Sequence, residues 1–239
     1  MTSFAKRTVG AVAAIVGLAV STPAALAAVP WTTNAAGAAP SGKFTWSGGE
    51  SDLNIFKNPS VVSNAGVDTF VFGGLGGFGV SASNGGSSSL AEEARWNITM
   101  MPGFQITRME IRVFGSYGVQ GDGSYVSLGG GVGLEELGGL NRSWNEPLVI
   151  ASPNASPITT GQGSYSAIST LDITWEFPAP FSSLRVSFGS ILEAVAGAFG
   201  TASINHQLQT HRIEVGFVPE PATLSLLAFG ALALVRRRR

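Results

Sequence analysis

Carboxylates, histidines and serines are the residues of this chain that could carry out catalysis. Asp172 and Glu176 share one face of a predicted strand, but four residues along a strand separate them by about 13 Å. The two carboxyl groups of a glycosidase lie closer together, at about 5 to 9.5 Å. His206 and His211, the only histidines, lack a metal-binding spacing, and we expect them on opposite faces of a strand, exposed or hydrogen-bonded. Residues 161–166 (GQGSYS) resemble the Gly-x-Ser-x-Gly nucleophile motif but do not match it. These patterns predict that the chain is not an enzyme.

A calcium loop is the one metal site that the sequence suggests. Asp122 lies between two glycines and precedes Ser124, in a stretch whose oxygens could contact calcium. Calcium needs several converging carboxylates and carbonyls, and Asp122 stands alone unless Asp52, Glu135 or Glu136 joins it in space. A simple turn is therefore favoured, with no metal and no cofactor. The chain has no cysteine, which excludes thiolate metal sites and thiol nucleophiles.

Five tryptophans are the candidates for stacking on sugar rings. They are Trp31, Trp46, Trp96, Trp144 and Trp175. Most tryptophans of a β domain belong to its core, so we expect one of them at most to form a binding surface. Trp144 lies in the polar stretch NRSWNEP and is the best candidate for a ligand contact.

The elements that would position these residues are predicted to be β-strands. Residues 96–100, 104–114, 165–177, 183–188 and 211–217 alternate apolar and polar residues, and a bulge is expected near residue 105. Residues 89–96 (SLAEEARW) and 191–199 (ILEAVAGAF) are the helical exceptions. The strands at 165–177 and 183–188 are expected to pair around Pro178 and Pro180. The fold class is thus all-β, an antiparallel β-sandwich or jelly-roll-like body.

Two glycine-rich stretches are predicted to be surface loops. Residues 73–86 (GGLGGFGVSASNGG) lack the Lys-Ser/Thr ending of a phosphate-binding loop. Residues 129–139 (GGGVGLEELGG) are predicted to form a mobile hairpin loop. Neither stretch indicates a nucleotide site.

The N-terminus has the three parts of a signal peptide. Lys6 and Arg7 precede an apolar stretch at residues 8–20, and Ala25 and Ala27 form the small-x-small pattern that signal peptidase reads. Cleavage is expected after Ala27, or else after Ala28; an uncleaved anchor is the alternative. The domain prediction is therefore a signal peptide at 1–27, a β-sandwich extracellular domain at 28–217 and a C-terminal segment at 218–239.

The C-terminal segment reads VPEPATLSLLAFGALALVRRRR. Pro219, Glu220 and Pro221 precede an uncharged run at residues 222–235, and four arginines, Arg236, Arg237, Arg238 and Arg239, end the chain. The run predicts a short transmembrane helix of about 21 Å, against a hydrocarbon core of about 30 Å. The arginines would stop transfer and stay cytoplasmic, which leaves the body on the other side of the inner membrane. A buried helix with a basic tip is the alternative.

The order of these three parts resembles the PEP-CTERM sorting signal of Gram-negative bacteria that make exopolysaccharide. The resemblance covers only about a tenth of the chain. It implies that exosortase, a membrane protease-transpeptidase, recognises Pro219, Glu220 and Pro221 and releases or re-anchors the body. The implied localisation is transient anchoring in the inner membrane, then the cell surface or the extracellular space.

Charge argues against nucleic acid as a partner of the body. Eight basic and fourteen acidic residues lie in residues 28–217, a formal charge of −6, and no basic stripe is present for phosphate contacts. The favoured function is a non-enzymatic surface or matrix protein associated with exopolysaccharide and biofilm. The alternatives are a carbohydrate-binding β-sandwich and, less favoured, a secreted hydrolase.

Overall fold

The structure, a computed structural model, describes residues 28–73, 75, 77–138, 142–173 and 183–217. These residues form fourteen β-strands and no helix. The strands are β1 (Val29–Pro30), β2 (Gly37–Ala38), β3 (Phe44–Ser51), β4 (Ser60–Asn64), β5 (Val67–Gly73), β6 (Gly79–Ser83), β7 (Ser87–Met100), β8 (Phe104–Gln120), β9 (Tyr125–Glu136), β10 (Ser143–Pro147), β11 (Val149–Ser152), β12 (Gly161–Asp172), β13 (Ser183–Val195) and β14 (Thr201–Phe217).

The strands form two seven-stranded antiparallel sheets. The first sheet has the order β1-β3-β7-β13-β9-β10, with β2 paired to β3. The second has the order β11-β12-β8-β14-β5-β4, with β6 paired to β14. The prediction of an all-β antiparallel sandwich is confirmed. The expected signal-peptide helix and transmembrane helix lie outside the described residues; among the described ones, no helix has the length and apolarity needed to cross a membrane.

Alternation of side chains along the long strands builds one core between the sheets. In β13, Leu184, Val186 and Phe188 are fully buried while the residues between them face outwards. Aromatic rings fill the centre, where Trp96 packs against Trp31 with ring centroids 5.8 Å apart. Because the two sheets bury their inner faces against each other, this apolar contact is the main source of the stability of the fold.

Both predicted helices are wrong. Residues 89–96 lie within β7, where Glu92, Ala94 and Trp96 point inwards in a period of two. Residues 191–199 form the end of β13 and the turn that follows it. Pairing of β7 with β3 and β13 on its two sides outweighs the local preference of Ala, Leu and Glu for a helix.

The expected pairing of the strands at 165–177 and 183–188 is also wrong. β12 pairs with β8 and β11 in the second sheet, whereas β13 pairs with β7 and β9 in the first. The chain therefore crosses between the sheets after Ile173. The two prolines predicted to shape the turn, Pro178 and Pro180, lie outside the described residues.

The glycine-rich stretches are more ordered than predicted. Residues 129–136 belong to β9, which pairs with β13 on one side and β10 on the other. Gly130 has a φ of 105°, and a Cβ atom there would lie 1.9 Å from the carbonyl oxygen of Gly189, so this strand position requires glycine. In the stretch 73–86, Leu75 and Phe78 are buried and residues 79–83 form β6.

Two bulges set which residues of β8 and β14 face the core. The pairing of β14 with β8 shifts between Glu214 and Val215, opposite Thr107, which confirms the bulge expected near the start of β8. A second shift lies between His206 and Leu208. It reverses the alternation of β14, so that His206 and His211 are both buried on one face. The prediction of opposite faces is wrong, whereas the hydrogen-bonded environment, the second of the two that were expected, is found for His206.

Candidate functional site: a groove at the edge of the sandwich

The candidate site is a groove of about 500 Å³ where β10 lies beside β12 of the other sheet. Its lining residues are Ser143, Trp144, Asn145, Glu146, Thr170, Leu171 and Asp172. Among the strands that the structure describes, β10 is an edge strand that pairs with β9 alone, so its side that faces the second sheet is only partly covered. The hydroxyl of Ser169 donates to the carbonyl oxygen of Glu146 at 2.9 Å and ties the two walls together.

Trp144 forms the aromatic part of this groove. It pairs with Leu134 of β9 and therefore points to the inner side of the sheet, where it packs against the margin of the core. The Arg142 guanidinium lies over the indole, 5.9 Å from the ring centroid. Arg142 in turn donates two hydrogen bonds of 2.9 Å to the Glu136 carboxylate, and this bonding raises the pKa of Arg142 above its usual value. One side of the indole is thus fixed by a paired cation.

The polar lining is rich in hydrogen-bonding oxygens. The polar residues that line the groove are Glu146, Asp172, Asn145, Ser143 and Thr170; alternation along β10 places Glu146 on the same side as Trp144, and Asp172 lies beside Arg108 at the end of β12. Arg108 lies 3.6 Å from Asp172, whose side chain is 67% exposed. An aromatic face beside several acceptors can stack on a sugar ring and accept hydrogen bonds from its hydroxyl groups.

The other tryptophans are placed differently. Trp31, Trp46 and Trp96 are at most 7% exposed, so they belong to the core, and Trp175 lies outside the described residues. Glu176, which the sequence analysis places too far from Asp172 for a glycosidase pair, also lies outside them. The sorting residues Pro219, Glu220 and Pro221, the four terminal arginines and the cleavage-site residues Ala25 and Ala27 lie outside them as well.

His206 lies in a buried polar cluster that sequence reasoning missed. Its Nε2 lies 2.5 Å from the hydroxyl of Ser190, and its Nδ1 contacts the phenol of Tyr165. Burial lowers the pKa of His206 to about 3 and raises that of Tyr165. Ser190 is fully buried and the imidazole faces a phenol where a triad has a carboxylate, so the cluster does not present a nucleophile to a substrate.

The carboxylates considered for calcium are paired with arginines. Asp52 lies 2.9 Å from Arg95, Glu136 lies 2.9 Å from Arg142, and Glu135 lies 3.9 Å from Arg185. Within the part of the chain that the structure describes, no group of three or more His, Asp or Glu residues could hold a metal ion. Asp122 instead belongs to the turn between β8 and β9, and this turn lines one side of an open pocket.

A charged cluster lies on the outer face of the second sheet; alternation along residues 104–114 predicts Arg108, Glu110 and Arg112 on one face, but the contact with Arg212 of β14 was missed. Glu110 is only 4% exposed and accepts hydrogen bonds from Arg108, Arg112 and Arg212. Burial alone would raise the pKa of Glu110, but the hydrogen bond and the charge of Arg112, helped by Arg212, lower it. The cluster joins β8 to β14. The proximity of Arg212 to Glu110 follows from the sequence only once the register of β14 against β8 is known.

Comparison with solved structures gives weak likenesses. A bacteriophage CBA120 tailspike protein 4 domain is 10% identical over 75% of this chain, with a TM-score of 0.21; the chain spans about a fifth of its length, 21%. A CBM4 structure is 9% identical over 67% of this chain and 89% of its own, with a TM-score of 0.15. TmCBM61 in complex with β-1,4-galactotriose is 12% identical over 69% and 86%, with a TM-score of 0.19. Likenesses at this level support no inference about what this chain binds.

The C-terminal segment gives the firm match. No curated protein matches the chain. The family model described as the PEP-CTERM protein-sorting motif matches residues 217–239, the segment that contains Pro219, Glu220, Pro221 and the terminal arginines. The match begins at Phe217, the last residue of β14. The chain therefore carries a PEP-CTERM sorting motif directly after the last strand of its β-sandwich.

Proposed function

We propose that this chain is a non-enzymatic protein of the cell surface or extracellular matrix that exosortase processes at its C-terminus. The sorting motif at residues 217–239 carries the proposal, because such a motif implies a secreted or cell-surface protein. The signal-peptide pattern at the other end of the chain supports export. In this scheme the apolar run at 222–235 anchors the body transiently in the inner membrane until it is cut near Pro219, Glu220 and Pro221.

Processing predicts the mass of the mature protein. In a Gram-negative host that has exosortase and makes exopolysaccharide, intact mass spectrometry of the cell-surface and medium fractions is expected to find a chain that begins near Ala28 and ends near Pro219–Pro221. Replacing Pro219, Glu220 and Pro221 together by alanine is expected to leave the protein in the membrane fraction with Arg239 still attached. Thr223→Ala, just past the motif, serves as the matched control and is expected to be processed normally. Recovery of the unaltered chain with Arg239 intact would contradict the proposal.

A second candidate function, carbohydrate binding, is favoured by the groove around Trp144. Two of its lining residues carry carboxylates: Asp172 lies beside Arg108, whereas Glu146 adds a negative charge, and the Arg142 guanidinium is already bonded to Glu136. A negatively charged groove repels acidic polysaccharides, so we infer a neutral glycan whose hydroxyl groups donate to Glu146 and Asp172. In this reading the groove retains the released body in the matrix.

Trp144→Ala is expected to weaken binding to neutral polysaccharide about tenfold, equivalent to about 1.4 kcal/mol, because the stacking face is lost. Affinity electrophoresis in gels containing dextran, laminarin or galactan measures the effect, with alginate as the acidic comparison. Phe199→Ala removes a ring that is 97% exposed and outside the groove, and it is expected to bind like the unaltered protein. Equal retardation of Trp144→Ala and the unaltered protein, or no retardation of either by any neutral glycan, would argue against the groove as a sugar site.

A further inference from the structure

The point at which the chain leaves the sandwich constrains how the body lies on a membrane. β14 is an interior strand of the second sheet, and its last residue, Phe217, pairs with Phe104 at the start of β8. The apolar run begins at Ala222, so residues 218–221 are the only connection. This inference rests on the proposed anchoring of that run in the inner membrane.

The connection is too short to hold the body away from the bilayer. Four residues span at most about 14 Å when fully extended. The headgroup region on one side of a bilayer is about 5 to 7 Å thick. The end of β14 therefore lies within roughly 9 Å of the headgroup surface. The apolar run of about 21 Å is shorter than the hydrocarbon core, and this mismatch draws the connection further inwards.

Other loops lie at the same end of the sandwich and are bonded to the end of β14. We call this the stem end; it comprises the loop at 40–43, the turn at 64–66 and the turn at 101–104. The Lys43 ammonium donates to the carbonyl oxygens of Gly66 at 3.3 Å and Val215 at 3.2 Å. The amide of Met101 donates to the carbonyl oxygen of Lys43 at 2.9 Å. These bonds make the stem end approach the membrane together with β14.

The tip of the stem end is suited to a lipid surface. Residues 101–104 form a tight turn in which the Phe104 amide donates to the Met101 carbonyl oxygen, and Gly103 has a φ of 81°. Met101 is 44% exposed beside the exposed Pro102, and neither carries a charge. A flexible apolar side chain on an uncharged turn enters the interface without the cost of burying a charge.

We propose that the stem end of the sandwich contacts the phospholipid surface on the extracytoplasmic side of the inner membrane while the C-terminal segment is anchored. The body then stands with its strands rising from the bilayer, the tip at Met101 and Pro102 resting in the headgroup region. The opposite end, with the β8–β9 turn at Asp122, points away. β8 has 17 residues and is up to about 55 Å long, so Asp122 lies at the far end of the sandwich from the stem end.

The absence of cysteine allows a direct test by single-site labelling. Met101→Cys and Asp122→Cys variants of the full chain, expressed in a host without exosortase, are labelled with an environment-sensitive fluorophore. They are then reconstituted in vesicles of phosphatidylethanolamine and phosphatidylglycerol that contain nitroxide-labelled lipid. Intact mass confirms removal of the signal peptide. Quenching at position 101 is expected to exceed that at position 122 at least twofold.

Lengthening the connection provides the matched control. Insertion of about twelve Gly/Ser residues between Phe217 and Val218 adds a flexible span of about 19 Å. The lengthened chain is expected to stay bound to the vesicles and to lose most of the quenching at position 101. Bound protein with equal quenching at both positions would overturn the proposed contact and leave the anchoring intact. Failure of the chain to bind vesicles at all would instead overturn the anchoring and, with it, this inference.

Discussion

Replacing Glu92 by alanine is expected to lower the free energy of unfolding by about 4 kcal/mol. The carboxylate is 2% exposed and accepts hydrogen bonds from three backbone amides, those of Leu53 at 2.7 Å, Ile55 at 3.1 Å and Phe56 at 3.3 Å. Removing the acceptor leaves these amides unpaired, and each unpaired buried donor costs about 1 to 3 kcal/mol. Urea denaturation followed by tryptophan fluorescence measures the loss.

The segment held by Glu92 explains why the effect is expected to be large. Phe56 is fully buried and its ring lies 5.0 Å from Phe78 and 5.6 Å from Phe188. The Phe56 carbonyl oxygen also accepts a hydrogen bond from the Trp31 indole at 2.8 Å. Release of residues 53–56 therefore loosens the aromatic centre of the core as well as one loop.

The neighbouring Glu93 provides the control for this substitution. Its side chain is 35% exposed and pairs with Arg95 on the outer face of the first sheet. Partly exposed ion pairs contribute about 0 to 1 kcal/mol, so Glu93→Ala is expected to cost no more than about 1 kcal/mol. Equal losses for the two variants would show that the three amides bonded to Glu92 find other partners when the carboxylate is removed.

The sequence predicts the strands of this protein better than it predicts their partners. Period-two alternation correctly indicates the buried positions of Ile213, Leu171 and Ile173, because one face of each strand must meet the core. Pro102 and Gly103 correctly predict the turn before β8. The sheet to which each strand belongs depends on contacts between residues far apart in the chain, as the separation of β12 from β13 illustrates.

Only one residue of the candidate site, Trp144, could be predicted from the sequence. Trp144 stands out because a tryptophan in a polar stretch is unusual for a core residue, and it is the one described tryptophan that is not buried. Asp172 joins it only because β12 of the second sheet lies beside β10 of the first. The buried position of His206 depends on the irregularity of β14 near Gln207, and a bulge of this kind leaves no distinct pattern in a single sequence.

Acidification from pH 7 to pH 5 is expected to lower the free energy of unfolding by about 4 kcal/mol, mainly through two buried histidines. Burial lowers the pKa of both His206 and His211 to about 3 in the folded protein. In the unfolded chain a histidine has a pKa of about 6.5. Between these values the unfolded chain binds a proton that the folded protein does not, so stability falls by about 1.4 kcal/mol per pH unit for each histidine.

The surroundings of the two rings explain why neither is expected to accept a proton in the fold. His211 is fully buried among Phe72, Trp96 and Phe188, whose ring centroids lie 5.0 to 5.1 Å away. His206 lies 4.8 Å from Phe78 and contacts only hydroxyl groups at its two nitrogens. A charged imidazole in such an environment loses its hydration without gaining a carboxylate, so unfolding is the favourable route to protonation.

The pH interval from 6.5 to 5 separates the histidines from the carboxylates, because ordinary Asp and Glu side chains titrate near 4. Urea unfolding at several pH values across this interval is expected to give an average slope of about 2 kcal/mol per pH unit, rising towards about 2.7 near pH 5. His206→Gln and His211→Gln are each expected to halve that slope, whatever they cost in stability at pH 7, because one titrating group is removed. A slope near zero in the unaltered protein would mean that water reaches the rings and that the core opens more readily than its burial indicates. A steep slope would instead mean that the folded body is durable only near neutral pH, which would limit an exported protein of this kind to matrices that are not strongly acidic.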